Sequence, residues 1–402
     1  MTTSILPTYA RADLEFVSGI GSWLIEASGS QFLDFASGIA VNSLGHSHPE
    51  LVSVIKSQAE KLWHVSNLYQ IPEQRALADE LVKNSFADTV FFTNSGTESC
   101  ELAVKMTRKY WFEKGYPKKF EIITIEGSFH GRSSAGIAAT ASEKMTKGFG
   151  PLLPGFINIP WNDHSAIENS ITDKTAAILI EPIQGEGGIR PIPEQCLQGL
   201  RKTCDEKGIL LILDEVQCGF GRTGKLFAHE WSEIEPDIMM VAKGIGGGFP
   251  LGAVMAKETA AIGMTAGTHG STYGGNPLGC AVGLKVMDII SNPNFLNDVN
   301  HKAKRFYNGL QGLLKKNTSV FEEVRGKGLM IGLKCKVQNT DFVNACYANN
   351  LLTVPAGDNV VRLLPPLTVS DTEIDVALEK LESAVTISVS YTHLRAHETT
   401  LD

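Results

Sequence analysis

From about Leu51 to Ile290, short apolar runs alternate with amphipathic stretches. TVFFTNSGTE, FEIITIEGSFHG, AAILIEPIQGEGG, ILLILDEVQCG and DIMMVAKGIGGG share one grammar. Each begins with β-branched or apolar residues and ends in glycine and polar groups. Short apolar runs bounded by turn signals read as buried strands. Between them, SCELAVKMTRKYWFEKG and PEQCLQGLRKTCDEKG carry helical spacing. Strands alternating with helices predict an α/β domain with a mostly parallel sheet. Ligands of such sheets bind beyond the carboxyl ends of the strands, which is where this chain places its glycines and charges.

The pattern changes from about Asn294 to Val385. A helical stretch (DVNHKAKRFYNGLQGLLKK) precedes VFEEVRGKGLMIGLKC and VVRLLPPLTVS, and a helical DTEIDVALEKLESA follows. This predicts a smaller α+β domain, joined by the N-terminal run to about Pro49. The expected division is residues 1–49 and 291–385 for the small domain and 50–290 for the large one. The last stretch, TISVSYTHLRAHETTLD (residues 386–402), has no amphipathic period and reads as a disordered or non-native tail.

Composition narrows the function. The 402 residues are 43% hydrophobic and 20% charged, with net charge −8, an ordinary globular balance. No basic block or aromatic-plus-arginine stripe points to nucleic acid. No apolar run approaches the roughly 20 residues that span a bilayer. MTTSILPTYAR has neither a secretory apolar region nor an Arg-rich transit character. Seven scattered cysteines without a Cys-x-x-Cys suit a reducing cytosol.

Two stretches offer chemistry. In LLILDEVQCGFGRTGKL, Gly219, Gly224 and Lys225 fit the spacing of a phosphate-binding P-loop, the mark of an NTPase. Leu226 stands where Ser or Thr holds the metal, so the match fails there. The alternative reads Asp214 with Lys243. Both end apolar runs one crossover apart, so in parallel strands they share a rim. An amine and a carboxylate facing one pocket suit pyridoxal phosphate (PLP), whose aldehyde takes the amine and whose ring nitrogen takes the carboxylate. A rim salt bridge is the simpler reading of those two residues alone. Ser95, Gly96 and Thr97 follow a strand and open a helix, where backbone amides and the helix dipole favour an anion; an ordinary N-cap with Glu98 or Glu101 in the first turn is the alternative. Taken together, phosphate, ring nitrogen and aldehyde each have a partner. His46 and His48 lack a nearby third ligand, and Ser47-His48-Pro49 reads as the start of a helix, so no metal site is expected.

IAVNSLGHSHP, NSGTE, SFHGR, EPIQGEGG, LDEVQCGFGRTGK, AKGIGGGFPLGA and GTHGSTYGGNPLG, in that order, resemble the class III (ω-amino) aminotransferases, PLP-dependent transferases of fold type I. The resemblance runs from about Leu6 to Val385. Within the family, SGIAVNSLGH, SNLY and VVRLLPPL are most similar to the enzymes that act on acetylornithine. The resemblance implies that Lys243 is the Schiff-base lysine and that Asp214 pairs with the ring nitrogen. It implies that Phe129 stacks on the ring, that Gln217 bonds near the 3-hydroxyl and that His130 supports this loop. Gly96 and Thr97 hold the phosphate, joined by Thr272 from a partner subunit, so a homodimer with a composite site is implied. The glycines after Lys243 are expected to let backbone approach the cofactor. Arg132 resembles the clamp for a distant carboxylate, and Arg362 the one for the near carboxylate of glutamate or 2-oxoglutarate. Glu186 resembles a gate that pairs with Arg362 and swings aside for glutamate. The implied activity is transamination of N-acetylornithine with 2-oxoglutarate in the cytoplasm, in arginine biosynthesis. Succinylornithine, succinyldiaminopimelate, 4-aminobutyrate and ornithine are alternative donors; Ile39, where ornithine-specific relatives tend to carry tyrosine, counts against ornithine.

Overall fold

In the computed structural model, which describes residues 4–140 and 142–398, the apolar runs assemble into one seven-stranded sheet. Its order is Thr89–Thr93, Gly252–Ala256, Ile238–Val241, Leu210–Asp214, Thr175–Ile180, Glu121–Ile125 and Phe156–Ile159. Gly252–Ala256 runs antiparallel to both neighbours, and the remaining pairs are parallel. The sheet is therefore mostly parallel, as the alternation predicts. Every residue of Leu210–Asp214, Ile238–Val241 and Gly252–Ala256 is buried. A strand covered on both faces needs no polar alternation, which is why these segments read as unbroken apolar runs.

Register sets up the site. Asp214 lies opposite Met240 and Leu213 opposite Ile180. The residues just past these strands, including Glu181 and Lys243, therefore crowd one rim beside Asp214. The helix Gly96–Glu113 starts at the same rim, three residues after the strand Thr89–Thr93.

A second, antiparallel sheet is built from Phe321–Lys327, Met330–Cys335, Val360–Leu363 and Val354–Ala356. It carries Arg362 opposite Gly332 and Val354. In the N-terminal sheet, Gln31–Asp34 pairs in parallel with Leu351–Leu352, tying the first residues to the C-terminal segment. The buried Arg222 joins the large sheet's loops to the small sheet through bonds from Nη1 to the carbonyls of Leu329 and Pro365.

The helix Asp371–Glu398 runs through most of the segment read above as a disordered or non-native tail. Residues 387–398 contain neither proline nor glycine to stop a helix, and Ile387 packs against the core. The last residues of that segment, 399–402, lie outside the described ones. Among the described residues, no helix is long and apolar enough to cross a membrane.

Candidate active site

Lys243 follows the strand Ile238–Val241 by two residues and has φ 51°. That left-handed conformation costs a residue with a side chain roughly 1–2 kcal/mol, and such strain persists only where the surroundings enforce it. Lys243 lines a cavity of about 340 Å³, a size suited to a small ligand. Burial lowers the proton affinity of its amine; the Glu186 carboxylate opposes that shift and Arg362 adds to it, and the net is downward.

Asp214 faces the same cavity and is buried. Its Oδ2 lies 2.8 Å from His130 Nδ1, and its Oδ1 accepts from the Val216 amide at 3.0 Å. Burial pushes the His130 imidazole down, but the hydrogen bond and charge of Asp214, with the charge of Glu181, raise it by more. His130 Nδ1 therefore carries a proton toward Asp214. One carboxylate oxygen is thus engaged on each side, and the group is held rigidly at the cavity wall.

Ser95, Gly96 and Thr97 line the same cavity. Ser95 caps the helix, its Oγ accepting from the Glu98 amide at 3.3 Å. The cap and the anion site are therefore one structure, since the first amides of a helix have no partner within it. A Cβ on Gly96 would stand 2.7 Å from Val216 Cγ1, so glycine lets the helix start pack beside Val216. Phe129 and Val216 give the cavity apolar walls. An aldehyde-reactive amine, a carboxylate held by an imidazole, an anion-binding helix start and apolar walls match PLP group by group.

Glu186 lines the cavity and forms a two-pronged pair with Arg362 through Nη1–Oε1 and Nη2–Oε2, the latter at 3.0 Å. Arg362 is 1% exposed, whereas the Glu186 side chain is 31% exposed. Arg362 also donates to Gln217 Oε1 at 3.3 Å and the Pro355 carbonyl at 3.2 Å. The arginine is anchored; its partner has room to leave.

The structure does not bring every candidate into the cavity. Arg132 is exposed outside its lining, with its guanidinium 5.6 Å from the centroid of the Phe129 ring. Thr272 is also exposed and lines a separate surface groove beside Asn67 and His269. Of the glycines after Lys243, Gly248 lines the cavity, yet the space a Cβ would take there belongs to protein: Asn42 Oδ1 lies 2.7 Å from it. Gly244 likewise yields to the Phe220 side chain at 3.0 Å. These glycines make room for protein packed around the lysine. The P-loop-like GFGRTGK is no phosphate cradle: Arg222 is buried against small-sheet carbonyls, and the Gly224 carbonyl accepts from Asn300 at 2.8 Å. His46 is bonded to Asp34 at 2.8 Å.

Val216 and Glu181 are among the lining residues that the motif reading leaves out. Val216 forms a wall, and Glu181 lines the cavity while buried at 5% exposure. Val216 was findable, because it lies two residues past Asp214 on the same strand end. Glu181 closes the run AAILI as Asp214 closes its own, yet nothing local states what it holds.

The family pattern described as Aminotransferase class-III matches residues 8–385, and the chain belongs to that family. Its fold is type I of the PLP-dependent transferases. Acetylornithine aminotransferase of Rhodobacter capsulatus is 63% identical over 384 residues, 96% of this chain and 98% of that protein. The solved N-acetylornithine aminotransferase of Stenotrophomonas maltophilia has a TM-score of 0.84 and 36% identity over 95% of this chain and 98% of that one. An ornithine aminotransferase from Toxoplasma gondii, with PLP at partial occupancy in its active site, has a TM-score of 0.91 at 28% identity and covers 96% of this chain and 93% of its own.

Proposed function

We propose that this enzyme moves the ω-amino group of N-acetylornithine to 2-oxoglutarate, giving N-acetylglutamate 5-semialdehyde and glutamate in arginine biosynthesis, with PLP in the cavity. One observation carries the reading: Lys243, Asp214 and the helix start at Gly96 come from three strand ends and converge on one cavity beside an anchored arginine. The choice of donor is supported by the 63% identity to an acetylornithine aminotransferase.

Gly96 and Thr97, with Ser95 alongside, are the residues to hold the phosphate, completed by Thr272 of the partner subunit. Exposed Leu68 and Tyr273 near Thr272 suit burial against a second copy, so the working form is a cytoplasmic homodimer. When bound, PLP supplies an aldehyde that accepts the amino group and a ring that withdraws electrons. Phe129 and Val216 would wall the ring, Asp214 would keep a proton on the ring nitrogen, and Gln217 would bond near the 3-hydroxyl. Lys243, its proton affinity lowered by burial, takes the proton from the carbon that bears the donor amine.

Substrate choice falls to three charges. Arg132 takes the carboxylate far from the reacting amine. Arg362 takes the near carboxylate of glutamate or 2-oxoglutarate, after Glu186 leaves it. With N-acetylornithine bound, Glu186 stays and spares Arg362 an unpaired buried charge.

Borohydride reduction and peptide mapping should place the cofactor on Lys243; attachment to another lysine overturns the assignment. In stopped-flow half-reactions, Glu186→Gln should slow N-acetylornithine relative to glutamate by on the order of a hundredfold. Equal losses with both donors would show that Glu186 does not gate Arg362.

A further inference from the structure

Glu181 opens the EPIQGEGG motif, one residue past Ile180, which pairs with Leu213 beside Asp214. Its two carboxylate oxygens do different work. Oε1 accepts from the Phe129 amide at 2.9 Å, and Oε2 accepts from the Gly185 amide at 3.0 Å. Phe129 is a wall of the cavity, and Gly185 is the residue before Glu186. One buried side chain thus bridges the loop that walls the ring site and the loop that carries Arg362's partner. We infer that Glu181 is a positioning residue that locks these two loops together and so sets the rest position of Glu186 on Arg362.

The choice of residue type supports this. A carboxylate is acceptor-only at both oxygens, whereas an amide of the same shape presents a donor to one of the two N–H groups. The side chain is kept despite an unfavourable setting. Burial and the Asp214 charge push its carboxyl up to about 7, against the pull of His130 and of the two amide bonds. A purely space-filling role would be served better by an apolar residue. Glu181 sets the positions of Phe129 and Glu186 through these two bonds, and the role rests on the gate reading above.

The test is a double-mutant cycle on the holoenzyme. The readout is the ratio of half-reaction rates for N-acetylornithine and glutamate, which general destabilisation does not move. Glu181→Gln should bind the cofactor and shift the ratio against N-acetylornithine by roughly tenfold. Combined with Glu186→Gln, it should add nothing to the shift of Glu186→Gln alone, because both changes free the same guanidinium. A ratio unchanged in Glu181→Gln, or shifts that simply multiply in the double variant, overturns the positioning role and leaves the gate standing. A ratio unchanged in Glu186→Gln removes the gate and overturns both. Should Glu181→Gln fail to accumulate, Glu181→Asp, too short to reach both amides, carries the same test with the same outcomes.

Discussion

Asp214 and Glu215 are consecutive, and each is bonded to the Nδ1 of a histidine: Asp214 to His130 at 2.8 Å, Glu215 to His229 at 2.7 Å. In sequence they are one acidic pair. In the fold they point to opposite worlds. Asp214 lines the cavity, whereas Glu215 is fully buried on the other side. Glu215 spends its acceptors on protein alone, taking the Ala228 amide, the His229 amide and the His229 ring. His229 in turn stacks on Phe227 at 5.9 Å. The same two residue types thus make a reactive wall on one side and a structural clamp on the other. The difference lies in where the last residue of a strand turns, since neighbouring side chains leave a strand on opposite faces.

The largest expected effect separates the two pairs by activity. Asp214→Asn keeps the size of the side chain and removes the charge that holds a proton on the ring nitrogen. A close opposite charge is worth about one to three pKa units, so turnover should fall roughly tenfold to a thousandfold. The melting temperature should change little by comparison. Steady-state kinetics and thermal melts on one preparation check both. Wild-type turnover in both half-reactions would remove Asp214 from the chemistry and make the two pairs alike.

How much of this contrast is legible in sequence depends on whether it is local. Lys243, Asp214 and Ser95-Gly96-Thr97 each follow an apolar run, Glu186 lies in the glycine-rich turn after one, and all of them line the cavity. The mostly parallel sheet follows from the same alternation. Glu181 is not legible, because its importance comes from strand order: Thr175–Ile180 lies beside Leu210–Asp214, a pairing that no local pattern states. The reason for Gly244 is also non-local, since it is Phe220 that fills the space. Arg132 sits in a recognisable motif, yet its exposure outside the cavity shows that a motif places a residue in a loop and leaves its direction open. The helix through residues 387–398 is not legible either, because it has no amphipathic period to mark it. A helix that merely continues an anchored one needs only the absence of breakers.

A smaller effect, of a different kind, belongs to the core-facing pair. Glu215→Gln leaves an amide N–H₂ against at least one of the N–H groups that the carboxylate now accepts. Breaking a buried charged hydrogen-bond set costs about 3 kcal/mol, read as a drop of several degrees in melting temperature. Turnover per folded enzyme should stay within about threefold of wild type. A loss of turnover as large as that of Asp214→Asn, without a loss of stability, would show that the clamp also serves the chemistry.

The smallest expected effect is in the slope of stability against pH. The Asp214 charge raises both His130 and Glu181. A histidine raised above its ordinary value near 6.5 adds stability that is complete below that value and fades as pH climbs through the folded one. Glu181, moved from 4.5 to about 7, is protonated in the fold across a range where the unfolded chain is ionised. Stability therefore falls as pH rises from about 4.5 to about 7 on its account. Both contributions fall with rising pH, and Asp214→Asn weakens both. Melts of the holoenzymes from pH 5 to pH 8.5, bounds set by the ordinary histidine range of about 6.5, should thus show a flatter decline for Asp214→Asn. The gap to wild type should shrink by roughly 2 °C or more over that range. Glu215→Gln leaves the Asp214 charge in place, so its curve should run below the wild type and parallel to it. A parallel curve for Asp214→Asn as well would mean that the charge on the cavity side does not govern the protons around it.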